Sequence, residues 1–205
     1  MAAQTLLSGC NLTCIRQDRI LFEHLHLDVH EGDILQVQGR NGAGKTSLLR
    51  ILAGLSRPYE GHVRYPQADQ EAEQSNILYI GHKQGLKSDL STQENLDFYQ
   101  RLHAYPVTPL DALTRLQLDG FEDTSTHHLS AGQQKRNALA RLIHAPYNIW
   151  IVDEPFSALD TTGITHLEQL FLQHVYQGGC LIFTTHQPSK VQNYEKFRVL
   201  DLHKC

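Results

Sequence analysis

The octapeptide Gly39-Arg40-Asn41-Gly42-Ala43-Gly44-Lys45-Thr46 restricts the folds open to this chain more than any other stretch. It fits the pattern G-x-x-x-x-G-K-[ST], and its flanks supply the context that pattern requires. The apolar run Ile34-Leu35-Gln36-Val37 precedes it, and Ser47-Leu48-Leu49-Arg50-Ile51-Leu52-Ala53-Gly54 follows. That order reads as strand, glycine loop, helix. The glycines let main-chain N–H groups turn inward around an anion. The helix that starts near Lys45 adds the positive end of its dipole. Lys45 is expected to reach the β- and γ-phosphates of a nucleoside triphosphate, Thr46 to ligate Mg²⁺, and Ser47 to touch the α-phosphate. A chance glycine turn would not bring a buried strand before it and a helix after it. The loop does not say what hydrolysis drives.

The 205 residues suit one α/β domain spanning 1–205, with room for a subdomain. A chain of this length buries roughly 70% of its unfolded surface and needs no disulfide staples. The net charge is −4, and no Lys or Arg run marks a nucleic-acid groove. Cys10, Cys14, Cys180 and Cys205 match no zinc or CxxC spacing, so a reducing compartment is the default. No stretch reaches the roughly 18 apolar residues of a membrane span, and the N-terminus has no signal-peptide charge pattern. The chain is therefore not expected to enter a membrane by itself, which leaves docking on one open. Thirteen histidines without ligand-like spacing read mostly as surface residues.

Leu6 to His30 alternates between apolar and polar residues, the period of half-buried antiparallel strands. Glu31-Gly32-Asp33 turns the chain into the strand that carries the loop. Gly54 suits the position after a helix end, and Pro58 forbids continuation. Gly61–Tyr65 reads as a short strand, Pro66 to Asn76 as a solvated loop, and Ile77–Ile80 as an apolar strand. Ser91 and Glu94 have capping-box spacing, with Leu96, Tyr99 and His103 on one helix face. Pro106 breaks that helix, and Pro109 suits the first turn of another. Residues 83–128 thus read as an all-helical insertion. Gln134 to Ala145 is helical in spacing, Ile149–Val152 is a strand buried on both faces, and Thr162 to Gln177 is a helix. Leu181–Thr185 and Phe197–Leu202 complete the strands. The expected fold is α/β: a mainly parallel sheet core with an N-terminal antiparallel β subdomain and a helical insertion. Its chemistry should lie at the strand C-termini.

Asp153 and Glu154 close the Ile149–Val152 strand. A carboxylate there can hold Mg²⁺ with Thr46, and a second acid can polarise the attacking water. Leu129-Ser130-Ala131-Gly132-Gln133 would on its own be a helix cap. Beside the other two clusters it resembles the signature motif of ATP-binding cassette ATPases. Ser157-Ala158-Leu159-Asp160 looks like the D-loop of that family, and His186 like its switch histidine. The resemblance covers nearly the whole chain and implies a P-loop NTPase of the ABC type that takes ATP and Mg²⁺. It also implies a homodimer in which ATP on Gly39–Ser47 of one subunit meets Ser130 and Gly132 of the other. His186 would then hydrogen-bond the γ-phosphate and orient Glu154 and the water.

Two positions depart from the general family pattern. The γ-phosphate-sensing glutamine is replaced by His82, with Gln84 two residues later, and the adenine-stacking aromatic by Arg16. A guanidinium can stack on a base, and an ordinary surface role is the alternative. With Cys14-x-Arg16-x-x-Arg19, Gly81-His82 and Thr185-His186-Gln187-Pro188, the chain is similar to the ATP-binding subunits of the bacterial cytochrome c maturation exporter. That resemblance implies a peripheral protein on the cytoplasmic face of the bacterial inner membrane. It would work with the permease CcmB, alongside CcmC and CcmD, in supplying haem. The histidines themselves are not expected to bind haem. A permease is expected to contact the groove between sheet core and insertion, near His82–Leu96. The competing readings are a soluble ABC ATPase of DNA repair or translation, a non-hydrolysing scaffold, and a P-loop kinase or GTPase. The first would be expected to bring coiled coils or a second cassette. Glu154 and His186 weigh against the scaffold, and Leu129–Gln133 against the kinase or GTPase.

Overall fold

A computed structural model describes residues 3–66, 76–103, 109–143 and 145–203. Two sheets organise it. β1 (Thr5–Arg16), β2 (Arg19–His30) and β4 (Glu60–Arg64) form an antiparallel sheet in the order β2-β1-β4. The β1–β2 hairpin turns at Gln17-Asp18, both at positive φ (49° and 56°), the mirror-image turn that matches strand twist. It sets Arg16 opposite Arg19 at the hairpin tip.

The second sheet has five parallel strands in the order β5-β6-β7-β3-β8, formed by Ile77–Ile80, Ile149–Val152, Cys180–Thr184, Ile34–Gln38 and Phe197–Asp201. Both faces are covered. Leu35, Val37, Ile149, Ile151 and Ile182 pack with the antiparallel sheet and α1 (Lys45–Leu52). Ile34, Trp150, Val152, Leu181 and Phe183 face the other way. Their partners there come from α3 (Pro109–Arg115), α4 (Ala131–Ala140) and α5 (Thr161–Tyr176). Burial on both faces explains why β6, and β7 up to its last residue Thr184, are apolar runs rather than alternating ones. No helix among the described residues is long and apolar enough to cross a membrane.

α2 spans Thr92–His103 and begins with the expected reciprocal cap: Ser91 N donates to Glu94 Oε2 at 2.7 Å, and Glu94 N donates to Ser91 Oγ at 3.2 Å. The segment 83–128 is not helical throughout. Residues 83–91 are irregular, and Ser91 pairs with Ser125 in an antiparallel bridge. The buried Asn95 amide holds this loop by accepting from Lys87 N and donating to the carbonyls of Lys87, Leu90 and Ser91. α4 also differs from expectation. It starts at Ala131 and stops at Ala140, short of Ala145. Leu142 and Ile143 donate to carbonyls three residues back, and Arg141 Nε takes the Ala138 carbonyl, so the α-pattern ends there. Most of the Pro66–Asn76 loop, the break at Pro106, Cys205 and the His103 side chain lie outside the described residues.

Candidate functional site

The C-terminal ends of β3, β6 and β7 and the β1–β2 hairpin tip border a cleft of about 790 Å³. After β3, the glycine loop turns through Gly39, Gly42 and Gly44, all at positive φ. Gly44 is the N-cap of α1 at φ 103°, and a Cβ there would meet the Leu21 Cβ at 3.0 Å. No side chain caps this helix, and no acid occupies its first turn. Its leading N–H groups and dipole are therefore left for an anion.

Lys45 folds back over the loop, donating to Gly39 O at 2.7 Å and to Arg40 O at 3.3 Å. Its Nζ is 3.4 Å from His186 Nε2, which in turn is 3.5 Å from Glu154 Oε1. That imidazole nitrogen can accept from Lys45 or donate to Glu154, but not both at once. Thr46 Oγ1 donates to Asp153 Oδ2 at 2.7 Å, and Thr184 Oγ1 donates to Asp153 Oδ1 at 2.6 Å. Thr184 Oγ1 also accepts from Glu154 N at 2.9 Å, and Ser157 Oγ donates to Glu154 O at 2.9 Å. Glu154 has a backbone φ of 49°, uncommon for a residue with a side chain.

Arg16, Arg40, Asn41, Gly42, Gly44, Lys45, Thr46, Ser47, His82, Asp153, Glu154 and His186 all border the cleft. Gly39 and Ala43 shape the loop behind it, a Cβ on Gly39 meeting the Ala43 Cβ at 3.1 Å. The two sensing candidates separate here. His82 is exposed and lines the cleft, whereas Gln84 does not, and its carbonyl accepts from Arg141 Nη2 at 2.9 Å.

The stretch Leu129–Gln133 is absent from the cleft's lining. Ser130 is the N-cap of α4 in a complete capping box: Ser130 N donates to Gln133 Oε1 at 2.9 Å, and Gln133 N donates to Ser130 Oγ at 3.3 Å. A Cβ on Gly132 would stand 2.7 Å from Ala158 O, so only glycine allows this turn to lie on the 157–160 loop. Asp160 caps α5, accepting from Gly163 N at 2.8 Å and from Arg136 Nη2 at 2.9 Å. The Gly163 N–H and then the Arg136 charge hold its carboxyl below the usual carboxylate range.

Sequence reasoning missed several residues of this region. Lys135 on α4 is buried, with Nζ 3.4 Å from Asp153 O. Burial pulls its pKa down to about 8, opposed by the charges of Asp153 and Glu154. A signal existed: Lys135, Ala138, Leu139 and Leu142 share a helical stripe that is otherwise apolar. Thr184 could be read only as the last residue of a buried strand. Most histidines read as surface residues, and His174 is an exception: its half-buried ring stacks on Trp150 with centroids 3.7 Å apart and an interplanar angle of 4°. Cys10, Cys14 and Cys180 are free thiols, and burial pushes the Cys180 thiol up.

A phosphate loop facing two acids at parallel strand ends, with a capped signature turn outside the cleft, defines a class. A sequence model of the ABC transporter family matches residues 22–157, and the chain belongs to that family, whose cassettes bind and hydrolyse ATP. The relatives narrow the comparison. The cytochrome c biogenesis ATP-binding export protein CcmA of Shewanella oneidensis is 48% identical over 207 residues, covering 98% of this chain and 96% of the relative. Its counterpart in Shewanella frigidimarina is 49% identical, covering 98% and 95%. In fold, the chain is similar to a dimeric ATP-binding cassette in a post-hydrolysis state bound to ADP and Pi. The TM-score is 0.77 at 23% identity, with coverage of 89% and 88%.

Proposed function

We propose that this chain, as one cassette over residues 1–205, is the ATP-hydrolysing subunit of a membrane exporter serving c-type cytochrome biogenesis. The observation that carries the reading is the convergence of Lys45, Thr46, Asp153, Glu154 and His186 on one cleft. The phosphates lie on the Gly39–Ser47 loop, held by Lys45 and the α1 N-terminus, with the base near Arg16. The Thr46 hydroxyl and Asp153 carboxylate converge within 2.7 Å as hard oxygen donors, a pair that fits Mg²⁺ completed by phosphates and waters. When bound, that ion would neutralise charge on the β- and γ-oxygens. Glu154 accepts a proton from the attacking water, whose oxygen bonds to the γ-phosphorus while the bond to the ADP oxygen breaks. His186 steadies Glu154 and the γ-phosphate, and His82 senses the latter from the cleft's rim.

The second subunit supplies Leu129, Ser130, Ala131, Gly132 and Gln133 to this ATP, with the Asp160 loop beside them. Support comes from the position of this turn outside its own cleft, with a hydroxyl and a helix N-terminus on offer. The membrane partner is the permease CcmB, with CcmC and CcmD in the same system, at the cytoplasmic face of the inner membrane. It is placed at the groove of about 390 Å³ between the sheet core and α2, bordered by Leu55, Tyr79, Gln84, Tyr99 and Arg141. Exposed Leu55 and Phe98 give this region apolar contact area.

The test is Glu154→Gln. It should bind ATP normally, turn over about 10²–10⁴ times more slowly, and accumulate as an ATP-bound dimer on sizing. A variant that stays monomeric with wild-type turnover contradicts the assignment. Failure of the chain to co-purify with a membrane permease would instead favour a soluble ABC ATPase.

A further inference from the structure

The peptide unit joining Asp153 to Glu154 is held at both of its polar atoms. Its N–H donates to Thr184 Oγ1 at 2.9 Å, and its carbonyl faces Lys135 Nζ at 3.4 Å. This unit needs holding, because Glu154 sits at φ 49°, a strained conformation for a residue with a side chain. Rotating the unit towards ordinary φ would swing the Glu154 carboxylate away from His186, now 3.5 Å distant. Lys135 is only 2% exposed, and its ammonium is the charge set beneath the two acids. It belongs to α4, five residues from the Ser130 N-cap, a rise of about 7.5 Å along the helix.

We propose that Lys135 is a positioning residue that holds the Asp153–Glu154 peptide in its left-handed turn and ties the aim of Glu154 to the signature helix. Its stem is packed and its ammonium is aimed at a main-chain carbonyl, so a shift of α4 is transmitted to the peptide that orients Glu154. When Ser130 and Gly132 engage the partner's nucleotide, α4 is fixed, and Lys135 fixes Glu154 in the same chain's own cleft. The two ATP sites of a dimer thereby inform one another. The inference rests on Glu154 as the water-activating group.

The experiment compares Lys135→Met and Lys135→Arg in the full chain, measuring saturating turnover, ATP affinity with a fluorescent ATP analogue, and the steepness of turnover against ATP concentration. Lys135→Met should lower kcat about 10- to 100-fold, the scale of a small misplacement of a reacting group. Its ATP affinity should stay within about threefold, because no phosphate contact is removed. Its ATP dependence should flatten towards a Hill coefficient of 1. Lys135→Arg, which restores a charged donor, should recover most of kcat. Wild-type kcat in Lys135→Met, a parallel loss of affinity and kcat, or an Arg variant no better than Met would each overturn the proposal. Should Lys135→Met fail to fold, Lys135→Gln is judged by the same criteria. Glu154→Gln run alongside separates the two levels: wild-type turnover in that variant overturns the reading of Glu154, and the proposal with it.

Discussion

Lys45 shows how a single residue is prepared for its ligand. Its ammonium is parked on two carbonyls of its own loop and lies beside His186 at the wall of the cleft. An arriving γ-phosphate replaces carbonyl partners with a charged one, and charge-assisted contacts of this kind are worth roughly 1.5–3 kcal/mol. Lys45→Ala is therefore expected to weaken ATP binding about 10- to 150-fold and to abolish turnover. Calorimetric titration and a phosphate-release assay check both, and unchanged hydrolysis would sink the assignment. Arg16 and His82 are subtler cases at this scale. Both reach the cleft, as their places in the sequence suggest, through the hairpin tip and the end of β5.

At the scale of elements, α5 shows how a helix is locked to a sheet by a residue whose sequence context advertised nothing. His174 lies flat on Trp150 of β6, and its Nε2 is 3.2 Å from Asn148 O and 3.3 Å from Cys180 O. Those two acceptors require Nε2 to carry a proton, which leaves Nδ1 bare in the neutral ring. Burial opposes a second proton and lowers the pKa to about 4, although the two carbonyls act in the opposite direction. Unfolded, the ring titrates near 6.5, so below that pH the unfolded chain binds a proton that the native chain refuses. Native stability is thus complete above about pH 6.5 and declines as pH falls towards 4, by up to about 3 kcal/mol. Melting temperatures across that range should show the decline, and His174→Phe, which keeps the stacking but cannot titrate, should flatten it. An identical pH profile in the variant would mean that other groups control the acid limb. α4 makes the complementary point, since Lys135 holds the start and Arg136 the end of the one connection from β6 to α5, at Asp153 O and Asp160 Oδ1.

At the scale of the whole molecule, one chain presents a phosphate cleft and, away from it, a capped signature turn. If each working site combines the cleft of one subunit with the turn of the other, defects in the two parts should complement each other. Gly132→Ala forces a Cβ towards Ala158 O at 2.7 Å and spoils the turn while leaving the loop intact. Lys45→Ala spoils the loop while leaving the turn intact. Each variant alone should be inactive. A one-to-one mixture should regain turnover that neither component has, at most about a quarter of wild type, since about half the dimers are mixed and each holds one intact site of two. Coupling through Lys135 lowers it further, because the intact cleft lies in the chain whose own turn is broken. A mixture as inactive as its components would argue against shared sites.

What the sequence determined by itself was whatever short-range geometry encodes. The glycine loop, the Ser130 cap, the Ser91 cap, the β6 run and the Asp153-Glu154 pair are patterns of a few residues. Their meaning follows from backbone conformation, helix ends and burial on both faces of a strand. The alternation of strands and helices carried the parallel sheet in the same way. Tertiary structure decided whatever depends on residues remote in the chain. It put Thr46 against Asp153, 107 positions away, and Thr184 between Asp153 and Glu154. It brought His82 but not Gln84 to the cleft, slid Lys135 under the acids, and hid His174 behind Trp150. The physical reason is that a charged or titratable side chain seldom carries a mark of its surroundings, and even the apolar stripe around Lys135 marks burial without naming the partner. Whether it meets water, a carbonyl or a ring is settled only when packed elements close over it.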